Sequence, residues 1–376
     1  MRKKILFTSP NLKSGGAQRH LINIINSLNS SDFDISLFLF SNEGELINEI
    51  KKNIRIFHPV SNSLSKTFKP AAILFGILEL IRVIRKERPL ILYSRHWCKI
   101  PNSLLGRSLS VYSVSGEGNN IRETLLNKNL KLRVFYYLRK LGLKYTDHII
   151  ANSKSLSDEL DEVFNTNSKT EVIYNGVDIR EINEKSREKI NHQWLNENVP
   201  VLISVGRLSR QKGHRDLIEA VSLLRPEIDI RLIIMGEGKI RQELIDYSDD
   251  LGIKDSVDII SNKSNPFPYI KNSDIFVCPS RYEGLSNVIL EASALGMPVV
   301  STDHKHGANE IIENGVNGIL VPVGDSKSLA GAIKKLINDK KLMEKIGSGA
   351  RKNSEEFSLE KLGNNYKRFF NRIKFL

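Results

Sequence analysis

The chain has 376 residues, 40% hydrophobic and 26% charged, which excludes a disordered or fibrous polymer and is more than one hydrophobic core usually serves. Its net charge of +13 is uneven, +11 from Met1 to Arg180 and +2 thereafter, a bias that suits a surface meeting anionic lipid or nucleic acid better than a general solubility charge. The two cysteines, Cys98 and Cys278, lack any zinc-ligand spacing and predict buried thiols in a reducing, cytoplasmic setting.

In chain order, Met1-Arg2-Lys3-Lys4 leads into an apolar run that stops at Thr8-Ser9-Pro10. That run is too short for a signal peptide, so a buried strand over Lys4–Thr8 is expected. Ser14-Gly15-Gly16-Ala17-Gln18 follows, ahead of an amphipathic helix carrying Leu21, Ile24, Ile25 and Leu28. Gly15 and Gly16 admit two readings, backbone amides approaching a phosphate at a helix N-terminus or a plain tight turn. Their spacing is not the dinucleotide fingerprint. Asp32-Phe33-Asp34 has the form of a metal-binding D-x-D but precedes a strand in the first half of the chain. Further strands are expected at Asp34–Phe40, Leu90–Ser94, Ser110–Val114, His148–Ala151 and Glu171–Tyr174. Ala71 to Ile84 is apolar, yet it contains Glu79 and Arg82 and falls short of the roughly 20 residues of a membrane span.

From Asn129 to Tyr145 a helical stripe of Leu130, Val134, Tyr137, Leu138, Leu141 and Tyr145 is accompanied by Lys128, Lys131, Arg133, Arg139, Lys140 and Lys144. Such a helix either rests on an anionic membrane or packs its stripe into the core behind a solvated basic back. Asn175 to Pro200 is polar without an apolar period, and the domain boundary belongs there.

The second half repeats the βα alternation, with strands at Val201–Val205, Ile230–Met235, Val257–Ile260, Ile275–Cys278, Pro298–Ser301 and Gly318–Val321. After the first of these comes Gly206-Arg207, with Lys212 five residues beyond Arg207. Two cations at the carboxyl end of a strand suit a diphosphate, although a solvated basic loop would read the same way. After Cys278, the segment Pro279 to Ala292 places Glu283 in a loop and Glu291 on a helix starting at Asn287, with Ser286 as N-cap. A phosphate on that helix N-terminus would leave Glu283 and Glu291 to accept hydrogen bonds from sugar hydroxyls on either side. Gly307 to Ile312 and Asn314 to Gly318 read equally well as structural turns. From Ser358 to Leu376 an apolar stripe of Leu359, Leu362, Tyr366, Phe369, Phe370 and Ile373 predicts a helix that packs on the second domain or crosses back to the first.

The loop with Arg207 and Lys212, the Glu283/Glu291 pair in E-x7-E spacing, Gly15-Gly16-Ala17-Gln18-Arg19, Tyr174-Asn175-Gly176-Val177-Asp178 and Asn317-Gly318 with Val321-Pro322 resemble the retaining glycosyltransferases of family 4. The resemblance implies an α/β protein of the GT-B fold, two Rossmann-like domains facing across a cleft. Residues 1–178 would form the acceptor-side domain, 179–357 the nucleotide-sugar domain, and 358–376 a helix crossing back to the first. It implies catalytic roles for Arg207, Lys212 and Glu283: the two cations neutralise the leaving diphosphate, and Glu283 holds the transferred sugar. Gly15, Gly16, Gly206, Gly284, Leu285, Ser286 and Asn287 would line the donor phosphates, and Glu291 would bind the ribose. No metal or other cofactor is implied. The implied partners are a nucleotide sugar, most often of UDP (a hexose or N-acetylhexosamine), and a glycan acceptor, lipid-linked as in polysaccharide, O-antigen or capsule synthesis. The implied place is the cytoplasm, peripheral on the inner face of the cell membrane. Ser115-Gly116-Glu117-Gly118-Asn119-Asn120 departs from the family, because Gly118 stands where many members carry a histidine near the sugar. Glu117 or Asn119 would cover part of that role. A sugar-nucleotide epimerase or a phosphorylase on the same fold, and a basic nucleic-acid-binding protein, are the competing readings.

Overall fold

The structure, a computed structural model, describes residues 2–13, 15–28, 32–59, 69–118, 130–304 and 307–374. The chain divides into two compact units, Met1–Asn175 with Leu359–Leu376, and Gly176–Ser358. Each is a parallel α/β domain.

The first unit carries a seven-stranded sheet in the order β3-β2-β1-β4-β5-β6-β7. Its strands are β1 (Lys3–Ser9), β2 (Phe33–Leu39), β3 (Arg55–Phe57), β4 (Ile91–Ser94), β5 (Tyr112–Glu117), β6 (His148–Ala151) and β7 (Thr170–Val172). The apolar run expected at the N-terminus is thus a central strand, buried through Ile5, Leu6 and Phe7 between helices on both faces. The edge strand β3 is the one the sequence does not announce: three residues, Arg55-Ile56-Phe57, are too few to display a period. β5 begins two residues later than expected and runs to Glu117, because Ser113, Ser115 and Gly116 can enter a buried parallel ladder that their polarity argues against. The Asp32/Asp34 pair is spent on ion pairs, Asp32 with Lys367 and Asp34 with Arg55.

The C-terminal helix, Leu359–Arg372, belongs to this first core. Leu362, Tyr366, Phe369 and Phe370 bury beside Phe7 and Tyr93, and the Tyr93 and Tyr366 hydroxyls lie 3.1 Å apart. Side chains of this size contribute about 1.5–3 kcal/mol each when buried. Gly363 allows the close approach to the Gly16–Ser27 helix, since a Cβ there would stand 3.0 Å from the Ser27 carbonyl oxygen. Lys3 Nζ donates to the carbonyls of Phe370 and Asn371 at 3.1 and 2.8 Å, satisfying the end of the helix and placing a cation at its negative pole.

The second unit carries a six-stranded sheet in the order β10-β9-β8-β11-β12-β13. Its strands are β8 (Val201–Val205), β9 (Arg231–Met235), β10 (Val257–Ile260), β11 (Ile275–Cys278), β12 (Val299–Thr302) and β13 (Ile319–Val321). Within 175–200 the helix Ile179–Lys185 is capped by Asp178, whose carboxylate accepts from Glu181 N–H. The boundary falls at Asn175/Gly176, and within the second unit Val177 N–H donates to the Phe357 carbonyl at 2.9 Å. In each sheet the strand order reverses at one place, between β1 and β4 and between β8 and β11. In open parallel sheets the crevice at such a reversal, outside the carboxyl ends of the strands, is where ligands bind.

Candidate active site

The loops leaving β8 and β11 flank the reversal point of the second sheet. Beyond Val205 the chain is held to the neighbouring strand by Gly206 N–H to the Met235 carbonyl (3.0 Å) and Leu208 N–H to the Glu237 carbonyl (2.8 Å). Arg207 projects between these two anchors and is exposed. This contact needs Gly236 and Gly238, where a Cβ would fall 1.9 and 2.0 Å from the carbonyl oxygens of Gly206 and Leu208. Sequence reasoning missed Gly236-Glu237-Gly238, although two glycines directly after a buried strand are the signal of close backbone approach.

A single 3-10 turn, Arg210–Lys212, then ends on Gly213 at φ +65°, and the helix begins at His214. The β8 and β11 loops are stitched together: Arg281 N–H donates to the Gln211 carbonyl (2.8 Å), and Gln211 Nε2 to the Tyr282 carbonyl (2.9 Å). Arg281 also reaches both oxygens of Asp216, at 3.2 and 2.8 Å. The stitching brings Lys212 Nζ within 2.5 Å of Glu283 Oε1, and Ser280 Oγ donates to the same oxygen at 2.5 Å. Burial alone would raise the Glu283 carboxyl, but Lys212 beside it, with both hydrogen bonds, holds it below the usual carboxylate range. Burial likewise opposes the Lys212 charge, and Glu283 overrides it to raise the ammonium. His214, buried behind the pair, is pushed down to about 3 by burial and by Lys212, and stays neutral.

Both donors to Glu283 converge on Oε1. Among the described residues nothing donates to Oε2, which leaves that oxygen to accept from a ligand hydroxyl. Gly284 leads to Leu285 and Ser286, both buried, and the helix Asn287–Ala294 starts where expected. Ser286 occupies the N-cap position, but its side chain makes no capping bond; its hydroxyl lies 4.0 Å from Cys278 Sγ. Glu291 sits one turn inside this helix, half-buried. The structure therefore brings Gly206, Arg207, Lys212, Glu283 and Gly284 into one stitched pair of loops, with Glu291 on the helix that follows.

In the first unit, Gly15 is the N-cap of the helix Gly16–Ser27 with an extended φ of 174°, a conformation any residue adopts. Asn119 lies outside the described residues. Glu117 is fully engaged by other side chains. Its side chain is 1% exposed, and both oxygens are taken: Oε1 by Lys99 Nζ (2.5 Å) and Ser115 Oγ (3.2 Å), Oε2 by Arg139 (2.6 Å). Burial works against its charge, but Arg139 and Lys99 bring the carboxyl down to about 2. Two cations reach Glu117 from other elements, Lys99 at the start of a helix after β4 and Arg139 in the Leu130–Tyr145 helix, and this argues against its expected role.

In that latter helix the stripe from Val134 to Leu141 lies outside the core. Arg139, Gly142 and Leu143 face inward, while Val134, Tyr137, Leu138 and Leu141 are exposed, with Lys140 and Lys144 also in solvent. The inward face, with Tyr136 and Leu143 packed in the core beside Arg139, is thus distinct from the exposed stripe. No helix among the described residues is long and apolar enough to cross a membrane.

Against known proteins, the model for Glycosyltransferase Family 4 matches residues 14–181, and that for Glycosyl transferases group 1 matches residues 185–353. The chain is 28% identical over 355 residues to N-acetylgalactosamine-N,N'-diacetylbacillosaminyl-diphospho-undecaprenol 4-alpha-N-acetylgalactosaminyltransferase of Campylobacter jejuni, covering 93% of this chain and 94% of that one. It is 32% identical over 301 residues to the capsular polysaccharide biosynthesis glycosyltransferase CapM of Staphylococcus aureus, covering 74% and 76%. Among solved structures, HepE of Anabaena in complex with UDP superposes with a TM-score of 0.80 at 22% identity, covering 99% of this chain and 100% of HepE. WaaG, a glycosyltransferase involved in lipopolysaccharide biosynthesis, does so with a TM-score of 0.76 at 16% identity, covering 98% and 100%. At these identities the two structures speak for a shared fold.

Proposed function

The chain belongs to glycosyltransferase family 4, and from that premise we propose that it moves a hexose or N-acetylhexosamine from UDP to a hydroxyl of a lipid-linked glycan, with retention at the anomeric carbon and without a metal. The observation that carries the donor side is the Lys212–Ser280–Glu283 cluster, in which one carboxylate oxygen is fixed and the other is open. Fixed charges of this kind stabilise a departing diphosphate without reorganising as charge develops. In this reading Arg207 and Lys212 take the diphosphate oxygens, and the amides from Gly284 to Asn287 cradle a phosphate at the helix N-terminus. Glu283 Oε2 accepts from the transferred sugar, and Glu291 accepts from the ribose.

UDP is favoured by HepE, which is solved with that nucleotide. The lipid-linked acceptor is favoured by the named activity of the Campylobacter relative and by the exposed stripe Val134, Tyr137, Leu138 and Leu141. An amphipathic helix with that exposure beside Lys140 and Lys144 suits a peripheral position on an anionic membrane, and polysaccharide or capsule synthesis is the setting. Calorimetry and thermal shift against UDP, GDP, ADP and their sugars test the reading. A preferred nucleotide stabilises the protein by about 2.7 kcal/mol at 100 times its Kd. That response is expected to disappear in Arg207→Ala, and a folded protein that answers to no nucleotide sinks the donor assignment.

A further inference from the structure

We propose that the first unit holds a second anion site, a pocket at the carboxyl ends of β4 and β5 that binds a phosphate or diphosphate group through Arg95, Lys99 and Arg139. The proposal rests on the transfer reading, in which such a group arrives on the acceptor. The pocket has a volume of about 240 Å³, lined by Arg95, His96, Lys99, Glu117, Gly118 and Arg139 among others. Three cations face one carboxylate there, and that carboxylate is fully used in holding two of them.

Arg95 is the uncompensated charge. It is 6% exposed, has no ion-pair partner among the described residues, and its Nη1 is buried without a hydrogen bond. A guanidinium in that state is costly unless an anion completes it. His96 Nε2, in the same wall, is also buried without a hydrogen-bond partner, and burial followed by repulsion from Arg95 and Lys99 pushes that imidazole down to about 4. Burial brings the Lys99 ammonium down to about 8, with Arg139 and Arg95 adding repulsion against the attraction of Glu117. Each of these groups is relieved by the same ligand, one negative charge or two.

Shape supports an oxyanion over a neutral sugar. Lys99 opens the helix Lys99–Leu109, whose first turn adds its amide dipoles to the wall, and no side chain caps it. Gly118, in the position of the family histidine, leaves space against Arg95: a Cβ there would stand 2.7 Å from Arg95 Nη2. A planar fork, a point charge and a helix terminus converging from different directions suit the several acceptor oxygens of a phosphate. Hydroxyls would leave the buried charge unbalanced.

The test uses the full chain with its donor site saturated by UDP, titrated calorimetrically with inorganic pyrophosphate and, in parallel, with geranyl diphosphate. One further equivalent of pyrophosphate is expected to bind, weakened at least tenfold in Arg95→Gln while UDP affinity stays within twofold. Gly118→Ala keeps every charge and is expected to weaken the same site about threefold, which covers an Arg95→Gln that fails to fold. Geranyl diphosphate binding tenfold tighter than pyrophosphate supports an anion carried by the acceptor; equal affinities support a free phosphate as the ligand. UDP binding with no further pyrophosphate site overturns the pocket and spares the transfer reading. A pyrophosphate site abolished by Lys212→Ala but untouched by Arg95→Gln is the donor loop and also overturns it. Failure of UDP itself to bind strikes the premise.

Discussion

Glu117, buried, and Glu283, with its side chain 11% exposed, are both carboxylates near strand ends, and their surroundings use them differently. Glu117 ends β5 and spends all its capacity on Lys99, Arg139 and Ser115. Glu283 sits in the loop after β11, with Lys212 and Ser280 both on Oε1. The first carboxylate organises cations that face a pocket; the second is organised by a cation and a hydroxyl on one oxygen, and in the proposed function its other oxygen meets the sugar. A buried carboxylate near a strand end is therefore not evidence of substrate contact until its hydrogen bonds have been counted, oxygen by oxygen.

Removing the charge at Glu117 gives the largest effect. Glu117→Gln leaves Lys99 and Arg139 buried without their counter-ion, and an expected loss of about 3–5 kcal/mol in unfolding free energy follows. Denaturant titration measures it, and a loss below 1 kcal/mol would mean that the pocket is wetter than its burial indicates. The pH dependence has a definite sign. Because the folded carboxyl is held at about 2, below its ordinary 4.5, Glu117 contributes stability present above about pH 4.5 and lost as pH falls toward 2. Glu117→Gln is expected to flatten that acid limb relative to the parent protein.

At the other carboxylate the sensitivity is kinetic. Lys212→Ala is expected to lower turnover about 10²–10³-fold, the scale of one lost transition-state donor. Steady-state assays with the nucleotide sugar chosen by the binding screen measure this, and a change within threefold would remove Lys212 from the chemistry. The smallest effect belongs to the exposed stripe. Leu138→Glu places a charge among Val134, Tyr137 and Leu141 without touching either carboxylate, and is expected to reduce sedimentation with anionic liposomes about tenfold, consistent with a lost apolar burial of about 1.5 kcal/mol or more. Unchanged sedimentation would take that face out of membrane contact.

The two regions also differ in how far they can be read before folding. Lys212 and Glu283 each lie in a short segment with its own strand, loop and helix signals, so position at a strand mouth follows from local pattern alone. The apolar stripe of Leu359, Leu362, Tyr366, Phe369 and Phe370 is equally local, and its helix was legible, but only the packing against Phe7 and Tyr93 decided which core received it. The pocket of the first unit has no such signal. Arg95, Lys99, Glu117 and Arg139 come from three separate segments, and in sequence Arg139 looks like one more charge on the solvated back of an amphipathic helix.

By itself the sequence determined the βα alternation, two sheets, the placing of Lys212 and Glu283 in loops after strands, and the family, because periodicity and turn chemistry act over a few residues. Tertiary structure alone decided that the Leu130–Tyr145 helix turns Arg139 inward and its apolar stripe outward, and that Glu117 closes on two cations. The physical reason is that Arg139, Lys99 and Glu117 lie in separate segments, and only folding brings their charges within hydrogen-bond reach, where any one of them would be costly to bury alone.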